Sequence, residues 1–328
     1  MKAIVNEKFG SPDVLKVKEI EKPVPKDDEV LIKTYATSIN KIDFAFRSGT
    51  KAIFGLARLA IGIRRPKKKV LGFDVSGEIV EIGAKVRNFT LGDQVYGGAR
   101  SGANAEFTTA GVNHIAKKPS NMSYSESGVI PMAGLSALQA LRDKGNIQQG
   151  QNVLIYGASG GIGIYALQLA KYFGATVNGV ASGKNEELVR RLGADSFIDY
   201  NKEDFTKKDE KFDIIFDTVS KSPMSRWKRA LKPEGIFINA GSPSMSMIRF
   251  FTSQFGNKFR KKKYKSFDTL YSKEDLEFLS DLAENGKIQS VIEKTYSFEE
   301  LAKAHHYYDK GHTAGKIAIL IRNYPTQE

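Results

Sequence analysis

The sequence predicts an α/β protein in two parts: a doubly wound parallel sheet from the middle of the chain, and a mainly antiparallel β unit built from both chain ends. Three observations carry this. After Pro131, apolar runs of strand length alternate with helical segments, the βαβ texture of a parallel sheet covered on both faces. A glycine-rich turn, Ala158-Ser159-Gly160-Gly161-Ile162-Gly163, joins one of those strands to a helix. Before Asn121 the chain is instead β-rich and broken by turn residues.

Taken in order, residues 30–35 and 75–82 read as strands, separated by turn signals such as Pro25-Lys26-Asp27-Asp28, Gly83-Ala84-Lys85 and Leu91-Gly92-Asp93. A helix over 134–141 opens the second part, followed by buried strands over 153–156, 176–180, 212–216 and 235–239. The tail carries amphipathic helices over 273–285 and 298–309 and a strand over 316–321. One strand pair cannot stand as a domain, so the tail is expected to return to the N-terminal unit. The expected domains are therefore 1–124 with 266–328, and 125–265.

With 328 residues the chain has room for about two domains. It contains no cysteine, which excludes disulfides, thiol nucleophiles and sulfur-ligated metals. Gly10 and Pro12 interrupt the N-terminus before a signal-peptide core forms, and no apolar run is long enough to span a bilayer, so a cytoplasmic protein is expected. The net charge is +13, but eleven positive charges sit in two runs, 64–69 and 258–265. The rest of the molecule is nearly balanced. Phe259, Tyr264 and Phe267 interleave with the second run in a pattern compatible with base stacking. No accompanying nucleic-acid-binding signature is present, and nucleic acid is not the expected partner.

The turn from Ala158 to Gly163 is a form of the dinucleotide fingerprint of Rossmann domains. Gly160 and Gly161 let backbone N–H groups approach a pyrophosphate, the helix N-terminus adds partial positive charge, and Gly163 lets the helix lie close on its strand. The next strand ends in Ala181-Ser182-Gly183-Lys184-Asn185, with no acid before Glu186. A hydroxyl, a cation and an amide there suit the 2′-phosphate of NADP, which a carboxylate would repel. Two sequences reminiscent of a phosphate loop, 179–184 and 311–316, have one residue too few between their glycines and lack the Ser or Thr that follows the lysine.

The chain resembles the medium-chain dehydrogenase/reductase superfamily, in its zinc-independent quinone oxidoreductase branch. The resemblance rests on Ser38-Ile39-Asn40-Lys41-Ile42-Asp43 with Arg47-Ser48-Gly49, Gly72-Phe73-Asp74-Val75-Ser76-Gly77, Phe89-Thr90-Leu91-Gly92-Asp93, Ala133-Gly134-Leu135-Ser136-Ala137, the glycine turn, Leu192-Gly193-Ala194-Asp195 and Gly311-His312-Thr313-Ala314-Gly315-Lys316. It implies a GroES-like β unit beside the Rossmann unit. Zinc-dependent relatives carry a Cys where Asn40 stands and a His-Glu pair where Phe73-Asp74 stand, so no metal is expected. The four histidines, His114, His305, His306 and His312, are not spaced as a metal site and read as surface or hydrogen-bonding groups.

By position the resemblance also implies roles. The turn from Ala158 and Ser159 through Gly160, Gly161, Ile162 and Gly163 holds the pyrophosphate; Ser182, Lys184 and Asn185 meet the 2′-phosphate; Tyr200 lies near the adenosine. Ser136 meets the nicotinamide ribose, Gly241 and Ser242 close the nicotinamide side, and Lys316 reaches the cofactor. Asn40 is the expected catalytic residue, its amide a donor to developing negative charge. Ala45 stands where some quinone reductases have a Tyr, which removes one hydroxyl donor.

These features predict an NADPH-dependent oxidoreductase, a homodimer, that transfers hydride to a quinone or to the activated double bond of an enone or enal without zinc. Two other readings stay open. A zinc-free carbonyl or alcohol reductase needs a general acid that the sequence does not reveal, and a non-catalytic NADPH-binding protein, a sensor or nucleic-acid binder, would use the basic runs.

Overall fold

The computed structural model describes residues 1–49, 61–207, 209–220, 224–240 and 263–322. The chain divides into two compact units: Met1–Leu135 with Tyr271–Gly286 and Ser290–Glu328, and Ser136–Leu270 with Lys287–Gln289.

The first unit opens on a two-stranded ribbon, β1 (Lys2–Asn6) and β2 (Leu15–Glu19). Its main sheet has seven strands: β3 (Glu29–Ser38), β4 (Asp74–Ile82), β5 (Gln94–Gly98), β6 (Phe107–Gly111), β7 (Ile115–Lys117), β14 (Ile292–Ser297) and β15 (Lys316–Leu320). The path runs β14-β15-β3-β4-β5-β7, with β6 also on β3. All pairs are antiparallel except β14 with β15. The C-terminal strand thus closes onto the N-terminal sheet, as the unpaired tail requires. Val30, Ile32, Val75, Ile79, Val95 and Ile115 fill the core beneath it.

Register places the candidate site residues. Ala318 pairs with Ser38 on one side of β3, and on the other Ala36 pairs with Ser76, so the ends of β15, β3 and β4 converge. Immediately after β3 the chain enters helix α1 (Lys41–Ser48), with Asn40 as its N-cap. Asp43 in its first turn accepts the Asn40 backbone N–H at 2.9 Å, which satisfies one buried donor at the helix start. Short helix α2 (Tyr124–Gly128) and helix α3 (Pro131–Leu138) carry the chain onward. Helices α7 (Lys273–Glu284) and α8 (Leu301–Asp309) complete the unit.

The second unit is an all-parallel, six-stranded sheet: β8 (Asn152–Tyr156), β9 (Thr176–Ala181), β10 (Ser196–Asp199), β11 (Phe212–Asp217), β12 (Leu231–Asn239) and β13 (Lys263–Ser266). Their order, β10-β9-β8-β11-β12-β13, is the doubly wound Rossmann order with its switch point between β8 and β11. Helices α4 (Gly163–Tyr172), α5 (Glu186–Arg191) and α6 (Met224–Ala230) connect the strands. Trp227, Phe205, Phe212, Phe237 and Leu154 form its aromatic core.

Three local differences from the sequence expectation have physical causes. Helix α3 does not run smoothly to 141; it passes at Gln139 into a π-helical turn, Gln139–Lys144. Strands β10 and β13 have no long apolar run to announce them. In β13 the alternation Lys-Tyr-Lys-Ser buries only Tyr264, against Phe237 at 6.2 Å between ring centroids. Tyr264 is therefore core, not a platform for bases. Among the described residues no helix is long and apolar enough to cross a membrane.

Candidate active site

In the first unit, the convergence of three strand ends creates a buried polar network. Asp74 is fully buried at the start of β4, and its carboxylate accepts four hydrogen bonds. Oδ2 takes Ser38 Oγ at 2.6 Å and Asn40 Nδ2 at 2.8 Å. Oδ1 takes Met132 N at 2.9 Å and the Tyr271 hydroxyl at 3.0 Å. On the other side of the Asn40 amide, Lys316 Nζ donates to Oδ1 at 2.6 Å and to the Ile39 carbonyl at 3.3 Å. The amide is therefore clamped in one orientation between a cation and a carboxylate, its oxygen toward Lys316 and its nitrogen toward Asp74.

The charges in this network feel its dryness. Burial pushes the Lys316 ammonium below its ordinary value, against the pull of Asp74 and Asp43. Burial likewise raises Asp43 to about 6, opposed by the N–H groups of Asn40 and Gly72 that it accepts. Tyr271 is pushed well above its usual value, first by burial and then by the Asp74 charge, so its hydroxyl keeps its proton and points it at Asp74. Gly98 makes room for that ring: a Cβ there would meet it at 2.7 Å. Tyr271 is the group that sequence reasoning missed. Ala45, which lacks the hydroxyl of some relatives, is buried in an apolar cluster with Phe9, Phe46 and Ile61.

In the second unit, the turn after β8 has the build of a dinucleotide cradle. Gly157 has φ +84°, and a Cβ on Gly163 would lie 2.1 Å from the Gly157 carbonyl oxygen, so this helix start tolerates only glycine. The N–H groups of Gly157 and Ala158 bind the Val180 carbonyl, and that of Gly160 binds Gly157. Among the described residues, those of Gly161, Ile162 and Gly163 have no backbone acceptor and open the ten-residue helix α4, the donor set that a pyrophosphate needs. These residues fit the phosphates of a dinucleotide.

The residues expected at the adenosine lie at the ends of β9 and β10. Asn185 Nδ2 donates to Ser159 Oγ at 2.9 Å, tying that corner to the glycine turn. Ser182 is half-buried, Lys184 exposed, and Tyr200 exposed with its N–H on the Ala181 carbonyl. Asp199, not singled out from the sequence, also stands here: its carboxylate holds Asn201 and lies against Gly183, where a Cβ would come within 2.5 Å of it. Ser136 is buried with its Oγ 2.6 Å from Thr269 Oγ1. Gly241 and Ser242 lie outside the described residues.

The histidines divide. His306 meets Asp13 at 2.9 Å on the surface. His305 departs from the expectation of a surface or hydrogen-bonding group: it is fully buried with neither ring nitrogen partnered, and burial, then the nearby Arg47 charge, lowers it to about 3. Among the described residues no group of three or more His, Asp or Glu is arranged to hold a metal ion.

Comparison with known proteins agrees with both halves. The family described as "Alcohol dehydrogenase GroES-like domain" matches residues 26–166, and that described as "Zinc-binding dehydrogenase" matches 192–319. The zinc of the second description does not fit the donors here: Asn40 and Phe73 offer neither thiolate nor imidazole, and Asp74 is taken up by four protein donors. The 2-methylene-furan-3-one reductase of Solanum lycopersicum is 32% identical over 97% of this chain and 79% of its own length. The mitochondrial NAD(P)H oxidoreductase RTN4IP1 of Bos taurus is 33% identical over 98% of this chain and 89% of its own. Among solved structures, the quinone oxidoreductase from Coxiella burnetii superposes with a TM-score of 0.87 at 31% identity, covering 98% of this chain and 99% of that one.

Proposed function

The chain belongs to the medium-chain dehydrogenase/reductase superfamily as a quinone oxidoreductase-like, NAD(P)H-dependent oxidoreductase, and from that premise we propose that it uses NADPH to reduce a quinone or an enone-type double bond without zinc. The observation that carries the reading is the glycine-only start of α4 at the switch point of an all-parallel sheet. Gly161, Ile162 and Gly163 would hold the pyrophosphate by their N–H groups. Ser182, Lys184 and Asn185 supply a hydroxyl, a cation and an amide for a 2′-phosphate, against the repulsion of the Asp199 carboxylate, one oxygen of which is taken up by Asn201.

The acceptor follows from what the network offers. A bound NADPH supplies hydride. Quinones and enones spread the resulting negative charge onto a carbonyl oxygen, so donors suffice where an isolated carbonyl needs a stronger electrophile. Lys316 brings an ammonium donor, with one N–H beyond those given to Asn40 and Ile39, to the Asn40 amide, and Asp74, itself held by Tyr271, keeps that amide oriented. The tomato relative, whose name specifies a methylene conjugated to a ketone, supports the enone side of the choice.

A steady-state screen of NADPH and NADH against quinones, enones and aldehydes tests this. The expected result is turnover of quinones or enones with kcat/KM at least about tenfold higher for NADPH. A preference for NADH would overturn the 2′-phosphate assignment, and turnover of aldehydes alone would favour a carbonyl reductase.

A further inference from the structure

The basic run 64–69 is not one uniform face. Arg64, Arg65, Lys67 and Lys69 are exposed, whereas Lys68 is half-buried. Its ammonium lies 4.4 Å from the centroid of the Phe73 ring, and Phe73 packs edge-on against Phe46 at 5.2 Å. The fold sets this direction. On one side Lys67 N binds the Ile61 carbonyl at 2.8 Å across a turn made by Gly62, whose φ is +115°. On the other, Asn6 N binds the Lys69 carbonyl at 2.7 Å and Val70 bridges to Val5.

Among the described residues Lys68 has no counterion, and Asp43 is the one acid whose charge it feels. Burial pushes its pKa down. An ammonium on an aromatic face has three N–H donors and gains from the ring without satisfying them. Such a group is poised for an oxygen that becomes negative only during a reaction. Its neighbour Phe73 precedes Asp74, which holds Asn40, and Asp43 holds the backbone of both Asn40 and Gly72.

We propose that Lys68 is a catalytic residue whose ammonium binds the carbonyl oxygen of the acceptor, stabilising the oxyanion formed on reduction beside the Phe73 ring. The inference rests on the reading of quinone or enone reduction. As hydride forms the new C–H bond at the β-carbon, the π bond of C=C breaks and its electron pair moves through the conjugated system to the carbonyl oxygen. That oxygen accepts an N–H of Lys68. Water then gives the α-carbon its proton, the carbonyl re-forms, and the dinucleotide is left oxidised by two electrons. Lys68 thereby supplies, as a point charge, the electrophilic help that a metal gives in zinc-dependent relatives.

The test uses Lys68→Met and Lys68→Gln, which remove the charge, Lys68→Arg, which keeps it, and Lys69→Met, which makes the same change in net charge on the exposed side. The first readout is binding of 4-nitrophenolate, a stable oxyanion, to the full chain without dinucleotide, followed by its absorbance. The expected result is at least about tenfold weaker binding for the two neutral variants at position 68, with Lys68→Arg and Lys69→Met within about threefold of wild type. The second readout is turnover of cyclohexenone against a para-quinone. Loss of about 100-fold is expected for the enone, and less for the quinone, whose anion is less basic. Unchanged phenolate binding in a folded neutral variant overturns the proposal. A parallel loss of NADPH affinity also overturns it, placing Lys68 on the cofactor. If wild type turns over no acceptor yet shows Lys68-dependent phenolate binding, the oxyanion site stands and the reductase reading falls.

Discussion

At the scale of residues, the first unit keeps two carboxylates and a lysine away from water around one amide, with a half-buried tyrosine against them. Asp74 is stabilised by four donors, whereas Asp43 has two backbone N–H groups and pays for its burial with a pKa raised to about 6. The sign of the consequence is definite. Between the ordinary aspartate value of 3.8 and about 6, folded Asp43 holds a proton that the unfolded chain has released. Its contribution is largest below that window and is lost as pH rises through it, by on the order of 2–3 kcal/mol. Urea denaturation of wild type and Asp43→Asn across this range checks it. The stability difference, wild type minus variant, should fall as pH rises; a flat or rising difference would show that Asp43 titrates normally.

At the scale of elements, the start of α4 makes the sharpest demand on sequence. Gly163→Ala would put a methyl 2.1 Å from one carbonyl oxygen and 2.7 Å from the Ala158 carbonyl, backbone atoms that have no flexible end to move. The expected outcome is a loss of roughly 1–3 kcal/mol in stability and of at least about tenfold in NADPH affinity, read by denaturation and nicotinamide fluorescence; wild-type affinity would mean that the turn does not hold the cofactor. This motif was legible because its backbone geometry selects residue types directly. Strands β10 and β13 were not legible, since one lacks a sustained apolar pattern and the other hides a single buried Tyr264 among lysines. Two buried glutamines were equally silent. Gln139 pairs with both backbone groups of Leu270, and Gln168 with both of Gln289, each acting as a short stretch of strand partner for a segment more than a hundred residues away.

At the scale of the whole molecule, long-range register decides what local sequence cannot. Asn40 and Lys316 stood out singly, but their 2.6 Å contact spans 276 positions and exists because β15 returns beside β3. Tyr271 reaches Asp74 across 197 positions from a segment with no motif of its own, and the only local trace of it is a glycine, Gly98, under the ring. The net charge of +13 resolves in the same way: of the five cations in 64–69, four are exposed and Lys68 turns onto Phe73. The central claim, that this chain passes hydride from NADPH to a conjugated acceptor, is tested most directly by a single turnover. Protein mixed with stoichiometric NADPH and then with excess quinone or enone should lose the reduced-nicotinamide absorbance completely, at least about tenfold faster than with NADH at equal concentration. Retention of that absorbance with every quinone and enone tried, by protein that demonstrably binds NADPH, would contradict it.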